Sequence, residues 1–145
     1  MPQQDIFRNY AFILELQGER AGYFTRVSGL GMKVSCLEYR EGGMPNVVRK
    51  LPVQTTVAPI LCEWGLTATR SMWDWFMTAV NGNVERKEIS IIILGTDGVT
   101  EKTRWNLSGV WPSEWRGAEL DAGGNNIAIE RMTLQAESVE RDPGV

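Results

Sequence analysis

Apolar side chains recur at every second position through much of this chain, and that period predicts strands. In the first such segment, residues 10–17, the apolar positions are Tyr10, Phe12, Leu14 and Leu16. Residues 18–20 indicate a turn. The apolar positions of the following segment, residues 21–28, are Tyr23, Phe24 and Val27. We therefore expect these two segments to pair as a hairpin.

The stretch from Leu37 to Leu51 is predicted to form two short strands joined by a loop. The first strand runs from Met32 to Tyr39 and the second begins at Val47, and the loop between them consists of Gly42, Gly43, Met44, Pro45 and Asn46. The two sides of the stretch carry charges of both signs, on Glu38, Arg40, Glu41, Arg49 and Lys50. A pair of strands this polar does not fold alone, so it needs the rest of the protein or another copy of the chain to lie on.

One segment, residues 69–80, has the period of a helix. Its apolar stripe consists of Met72, Trp73, Phe76 and Val80. Thr69 is the expected N-cap, and Asn81-Gly82 supplies a left-handed stop. We expect the stripe, including Trp73, to pack into the core.

The other predicted strands lie on both sides of this helix, at residues 60–64, 87–95, 100–109 and 126–139. The apolar run at residues 91–94 suggests that both faces of its strand are covered. In the last strand the apolar face changes near residues 130–131, so either a bulge lies there or the two faces bury against different surfaces. Residues 52–59 are predicted to be irregular, and the polar tail, residues 140–145, is expected to fray.

About eight strands and one helix place the chain in the mainly β class. We expect one domain over residues 1–145, a small antiparallel β-barrel or sandwich with one flanking helix and an extended hairpin arm.

The amino-acid composition argues against several kinds of functional site. Histidine, the commonest metal ligand and general base, is absent from the 145 residues. The two cysteines, Cys36 and Cys62, do not form a CxxC pair, so no zinc site is expected. A disulfide between them stays open at this point, although two free, buried thiols are what we expect. The net charge of −3 argues against nucleic-acid binding.

No catalytic arrangement emerges from the spacing of polar residues. Paired carboxylates such as Glu38 with Glu41, or Glu114 with Glu119, are explained by solvated strand faces. The serines have no histidine to activate them, and Gly29-x-Gly31 precedes a strand rather than a helix. We expect no enzyme activity and no cofactor. The six tryptophans instead suggest interface anchors, with Trp111 and Trp115 as the candidates.

The N-terminus lacks a basic segment followed by an apolar one, and the longest apolar run is too short to cross a bilayer. We therefore expect no signal peptide, no membrane insertion and synthesis in the cytoplasm.

A series of short motifs follows in order along the chain, from about Phe7 to Arg141. The motifs are Val27-Ser28-Gly29-Leu30, Glu38-Tyr39-Arg40-Glu41-Gly42-Gly43, Val48-Arg49-Lys50-Leu51-Pro52, Gly65-Leu66-Thr67, Trp105-Asn106, Trp111-Pro112-Ser113-Glu114-Trp115-Arg116-Gly117, Leu120-Asp121-Ala122 and Ile129-Glu130. Each motif is weak alone. Taken together and in this order, the motifs show that the sequence resembles the tail-tube proteins of contractile phage tails and of phage-tail-like injection particles.

This resemblance implies a fold similar to the haemolysin-coregulated tube protein of type VI secretion, and hexameric rings that stack into a hollow tube. The implied partners are other copies of the chain, a contracting sheath, baseplate, hub and terminator proteins at the tube ends, and cargo protein, tape measure or DNA in the lumen. The finished protein would be part of a phage tail or an extracellular injection particle. The net charge of −3 predicts an acidic or neutral lumen wall, because a basic wall would retain nucleic acid.

In this family the long hairpin after the Ser-Gly-Leu motif reaches neighbouring subunits. Carried over to this chain, the inter-subunit contacts are Glu38, Tyr39, Arg40, Glu41, Gly42, Gly43, Met44, Pro45, Asn46, Arg49 and Lys50. The chain departs from the family pattern over residues 53–64, where Glu63-Trp64 changes both charge and bulk.

Two alternatives remain at this point. One is a tube-initiator ring at the baseplate, which shares these motifs. The other is a small-ligand or carbohydrate-binding β-barrel that uses Trp111 and Trp115, which predicts a monomer with an aromatic pocket. Phage tail, tailocin and toxin-delivery particle are equally compatible with the sequence, as are different hosts and cargoes.

Overall fold

The computed structural model describes residues 12–20, 24–40, 42–43, 46–66, 70–95, 97–124 and 127–143. Within these residues the chain forms ten strands and one helix. In chain order the elements are β1 Phe12–Leu16, β2 Glu19–Arg20, β3 Phe24–Ser28, β4 Met32–Tyr39, β5 Arg49–Val57, β6 Ile60–Gly65, α1 Ser71–Val80, β7 Lys87–Leu94, β8 Glu101–Arg116, β9 Ile129–Gln135 and β10 Ser138–Arg141. The predicted mainly β class with a single helix is confirmed.

Eight strands form one antiparallel sheet, and two form another. The large sheet has the order β2-β1-β7-β8-β9-β6-β3 with β10 also paired to β8, and β4 pairs only with β5. β8 is 16 residues long, and its first part pairs with β7 while its last part pairs with β9. A register shift between Pro112 and Glu114 marks a bulge in the part that pairs with β9. The sheet is therefore an open barrel built around one long, bent strand.

The predicted hairpin between residues 10–17 and 21–28 is wrong. β1 instead turns back into the two-residue strand β2 through Gln17 and Gly18, both at positive φ, which is the geometry of a tight hairpin turn. β3 lies at the opposite edge of the sheet, where it pairs with β6. The aromatic ring of Phe24 packs edge-to-face on Trp64 of β6, with 5.7 Å between centroids. Phe24 of β3 therefore packs on β6, the strand with which β3 pairs.

The core fills the concave side of this sheet, and α1 closes it. Its buried side chains are Leu14, Ile60, Cys62, Trp64, Met72, Trp75, Ile89, Ile91, Leu107, Val110, Met132 and Leu134. Ile92, on the other face of β7, is also buried, so both faces of that strand are covered as predicted.

The change of apolar face near residues 130–131 does not come from a bulge in that strand. β6 and β9 pair without interruption from Leu134 to Ile129. Met132 and Leu134 point into the core, while Ile129 lies half-buried on the outer face and Ile127 precedes the strand. The two faces therefore meet different surroundings.

The helix lies as predicted but is rotated relative to its predicted stripe. Met72 and Trp75 are buried, whereas Trp73 and Val80 are exposed. Burial of the Trp75 side chain is favoured because its indole Nε1 donates to the carbonyl oxygen of Glu85 at 2.7 Å, which satisfies the one polar group of the ring. Of the two helix tryptophans, Trp75 and not Trp73 therefore packs in the core, which corrects the prediction.

The ends of the helix also differ in part from the prediction. The N-cap is Arg70, without a side-chain capping bond, and the predicted cap Thr69 lies outside the described residues. Gly82, at φ +78°, provides the predicted left-handed stop.

Two segments predicted to be irregular are strands. Residues 52–57 belong to β5, where Pro52 pairs with Cys36 next to a bulge, a position at which a missing backbone donor is tolerated. Glu140 and Arg141, in the tail expected to fray, pair with β8.

The two cysteines are both free, but only Cys62 is buried. Cys36 is exposed, which corrects the expectation of two buried thiols. The reason is its place on β4, a strand whose side chains are almost all exposed to solvent.

Gly29→Ala is expected to lower the free energy of unfolding by about 2 kcal/mol. Gly29 has φ +86°, and a Cβ there would lie 2.5 Å from the backbone oxygen of Pro59. Urea denaturation followed by circular dichroism measures the change. Gly42→Ala is the control, because among the described residues no atom beyond its own chain neighbours lies within 4 Å of a Cβ at that position. Equal effects of the two substitutions would contradict this role of Gly29.

Alkylation of the folded chain at pH 8 is expected to modify Cys36 and spare Cys62. Burial raises the pKa of the Cys62 thiol to about 12, so little reactive thiolate forms there. Mass spectrometry after treatment with iodoacetamide distinguishes the two sites. In urea both thiols should react, and equally fast reaction of both in the folded chain would show that the core around Cys62 is open.

Candidate assembly interface

β4 and β5 pair as an antiparallel hairpin that we call the arm, and the described residues between them are 40, 42–43 and 46–48. At the base of the arm, the backbone N–H of Ala58 donates to the oxygen of Gly31 at 2.9 Å and so continues the pairing of the two strands. Gly42, Gly43 and Asn46 lie in turns at its exposed tip, with Gly43 at φ +94°. The predicted contact residues Glu41, Met44 and Pro45 lie outside the described residues.

The arm exposes large apolar side chains along both of its strands. Leu37 is 55% exposed and its neighbour Leu51 is 45% exposed. The other large apolar residues exposed on the arm are Met32, Val34, Tyr39, Val47, Val48 and Val53. In the sequence of this stretch the charged residues are the most obvious feature. In the structure, the exposed apolar surface is the dominant feature. Contiguous apolar surface of this kind marks interaction sites.

Strand register divides the arm into two faces. Cross-strand neighbours share a face, and successive residues alternate between faces. On one face, which we call the basic face, Leu37 lies opposite Leu51 and Tyr39 lies opposite Arg49, and Lys33 lies further along β4. The other face, which we call the neutral face, carries Met32, Val34, Cys36, Glu38, Lys50 and Pro52.

The charges of the arm are distributed unequally between these faces. Glu38 lies directly opposite Lys50 in the register, so the neutral face combines one charge of each sign. The basic face combines Lys33 and Arg49 with its apolar residues. Arg40 follows β4 at the exposed end of the arm. In the sequence, apolar residues alternate through Leu37 and Tyr39, and this pattern could have predicted the apolar side chains of the basic face.

The two candidate interface tryptophans do not lie together. Trp111 is opposite Gln135 and Trp115 is opposite Met132, so the bulge between them turns their side chains to different faces of the sheet. Trp115 packs edge-to-face on Trp73, with 4.8 Å between centroids, and against the core. This separation disfavours a sugar-binding platform that uses both rings.

Several charged groups of the large sheet are engaged in local contacts. Glu114 pairs with Arg116 at 2.6 Å, and Arg104 joins Glu101 at 2.7 Å to Glu15 of β1 at 3.3 Å. The hydrogen bond with Glu101 raises the pKa of Arg104 above its ordinary value.

Asp97 organises the turn between β7 and β8. Hydrogen bonds from the Thr100 side chain and from the backbone N–H groups of Thr100 and Val99 lower the pKa of Asp97 to about 2. These hydrogen bonds of the carboxylate stabilise the turn.

Metal binding and membrane crossing find no support in the described ranges. No group of three or more His, Cys, Asp or Glu side chains there is arranged to hold a metal ion. Similarly, α1, the helix of the described part of the chain, lacks the length and apolar character needed to cross a bilayer.

The comparisons with known proteins agree with the motif series. Residues 8–140 match the family described as T4-like virus tail tube protein gp19. A chain in the cryo-EM structure of the anti-feeding prophage cap, the AFP tube terminating cap, is 30% identical with a TM-score of 0.87, and the match covers 98% of this chain and 94% of that one. A comparison with curated proteins found no match.

Two further structures extend the likeness. A chain in the PVC sheath-tube complex of an extracellular contractile injection system, in its extended state, is 28% identical with a TM-score of 0.85, covering 94% of this chain and 91% of that one. Hcp1 from Flavobacterium johnsoniae is 16% identical with a TM-score of 0.63, covering 91% and 94%, and shows a shared fold alone. With the family match over residues 8–140, the resemblance inferred from the short motifs is confirmed: the chain belongs to the T4-like virus tail tube protein gp19 family.

Proposed function

We propose that this tail tube protein works by self-assembly, as the structural subunit of the inner tube of a contractile tail or injection particle. Its copies form hexameric rings, and the rings stack into a hollow, rigid tube. The observation that carries the proposal is the arm, which presents apolar side chains to solvent on both faces. No catalytic step is part of this role.

The physical argument starts from the instability of an isolated hairpin. Two strands without a covering layer are at best marginally stable in water. The apolar residues of the arm gain free energy only if another surface covers them, and the described part of the main sheet leaves them exposed. Assembly supplies that surface. In this proposal the arm contacts are those expected from the family, residues 38–46 with Arg49 and Lys50, and Trp111 and Trp115 stay predicted interface aromatics.

The proposed partners follow from the related structures. A sheath surrounds the tube, and cap and baseplate proteins bind its ends, because the related chains come from a sheath-tube complex, a tube cap and a baseplate. Cargo protein, a tape measure or DNA passes through a lumen whose wall is acidic or neutral. The chain is made in the cytoplasm and works in a phage tail or an extracellular particle.

A terminal ring is the second candidate. The match to a chain of the AFP tube terminating cap, at 30% identity over 98% of this chain, favours it. A main tube subunit is expected to form tubes of many rings, whereas a terminal ring protein stops at one or two.

Deletion of residues 42–46 is expected to abolish tubes and leave a folded chain. The turn at the tip holds the arm strands in register, and the core lies elsewhere, in the large sheet and α1. Negative-stain electron microscopy and sizing chromatography report assembly, and circular dichroism reports folding.

Val99→Ser serves as the control for this deletion. Val99 is an exposed apolar residue in the turn between β7 and β8, outside the arm. The substitution should leave tubes intact. Normal tubes from the deletion variant would refute the role of the arm, and a wild-type chain that stays monomeric under all assembly conditions would refute the proposed function.

A further inference from the structure

A second exposed apolar surface lies where the chain leaves β8 and enters β9. Leu120 and Ile127 are each 79% exposed there, and neither belongs to the core. Beside them is a cavity of about 230 Å³ lined by Glu119, Asp121, Gly124, Ile127, Ile129 and Arg131. We call Glu119, Leu120, Asp121, Ile127 and Ile129 the acidic groove.

The charge of the groove comes from its carboxylates. Arg131, the one cation in its described lining, is engaged by Glu63, with 2.9 Å between Nε and Oε1. Asp121 is held in place because its Oδ1 accepts from the backbone N–H of Gly123 at 3.0 Å. Glu119 and Asp121 therefore leave the groove with a net negative field beside its apolar side chains.

The basic face of the arm has the complementary character. Leu37, Tyr39 and Leu51 form an exposed apolar centre, and Lys33 and Arg49 share that face. Glu38, a carboxylate of the arm, lies on the neutral face instead. Among the described residues, the exposed apolar side chains of the basic face are thus accompanied by cations and those of the groove by an excess of carboxylates, so the two surfaces are opposite in charge.

We propose that the basic face of the arm of one copy docks in the acidic groove of a second copy. The inference rests on the proposed function and names the surface that receives the arm. The two surfaces are different patches of the same chain, so the contact is heterologous and can repeat from copy to copy, as closed rings or stacked assemblies require. Apolar burial supplies the affinity, and the charges fix orientation and exclude wrong registers.

Charge reversal on each side tests this docking. Arg49→Glu on the arm and Asp121→Lys in the groove should each reduce the amount of sedimentable tube about tenfold or more, because each creates like-charge contact. Lys33→Glu is a second arm variant that should act in the same direction. Glu88→Lys makes an acidic-to-basic change at an exposed position outside the groove and should assemble like wild type. Circular dichroism and thermal melting confirm that each variant is folded.

An equimolar mixture of the Arg49→Glu and Asp121→Lys chains gives the decisive result. The acidic arm of the Arg49→Glu chain meets the basic groove of the Asp121→Lys chain, and the native arm of the latter meets the native groove of the former. Two chains that fail alone should therefore assemble together, in alternation. The double variant Arg49→Glu/Asp121→Lys should likewise recover tubes.

The inference is wrong if Asp121→Lys assembles like wild type, or if the mixture fails to assemble when both variants are folded. In either case a loss of tubes on deletion of residues 42–46 would leave the proposed function standing. Failure of the wild-type chain to form tubes would remove both.

Discussion

The arm depends on contacts that the described rest of its own chain does not supply. β4 and β5 pair only with each other, and both faces of the hairpin present apolar side chains to solvent. The hydrogen bonds of one hairpin ladder do not offset the exposure of that surface in water. The fold therefore has two parts: a large sheet that holds the core, and an extension that, in the proposed function, is covered by other copies.

The large sheet can carry such an extension because its own core is closed independently. β8 joins the two parts of the sheet, and α1 covers the concave side with Met72 and Trp75. The same bend in β8 separates Trp111 from Trp115, so the bulge that shapes the barrel also removes the paired aromatic platform of the alternative carbohydrate-binding hypothesis. Among the described residues, the core cluster contains no residue of β4 or β5, so the arm remains available for the proposed assembly.

The sequence predicted the existence and type of most elements, because period-two and helical patterns are local. It did not predict which strands meet: residues 24–28 pair with β6 rather than β1, since that choice depends on the packing of Phe24 on Trp64. The choice of Trp75 over Trp73 for the core likewise depends on a carbonyl at Glu85.

The sequence located the arm and its charges but did not predict its exposed apolar surface. That exposure of Leu37 and Leu51 arises because no described part of the chain covers β4 and β5. The acidic groove brings together Glu119 and Ile129 from separate segments, so local patterns did not indicate it.

Hydrogen–deuterium exchange of the arm, in the free chain and in assembled particles, tests the central claim most directly. In the free chain, peptides covering residues 32–57 should exchange fast, because their ladder is solvated on both faces. On assembly these peptides should become strongly protected, while peptides from the core strands β7 and β8 change little. Arm peptides that exchange equally fast in both states would contradict the account.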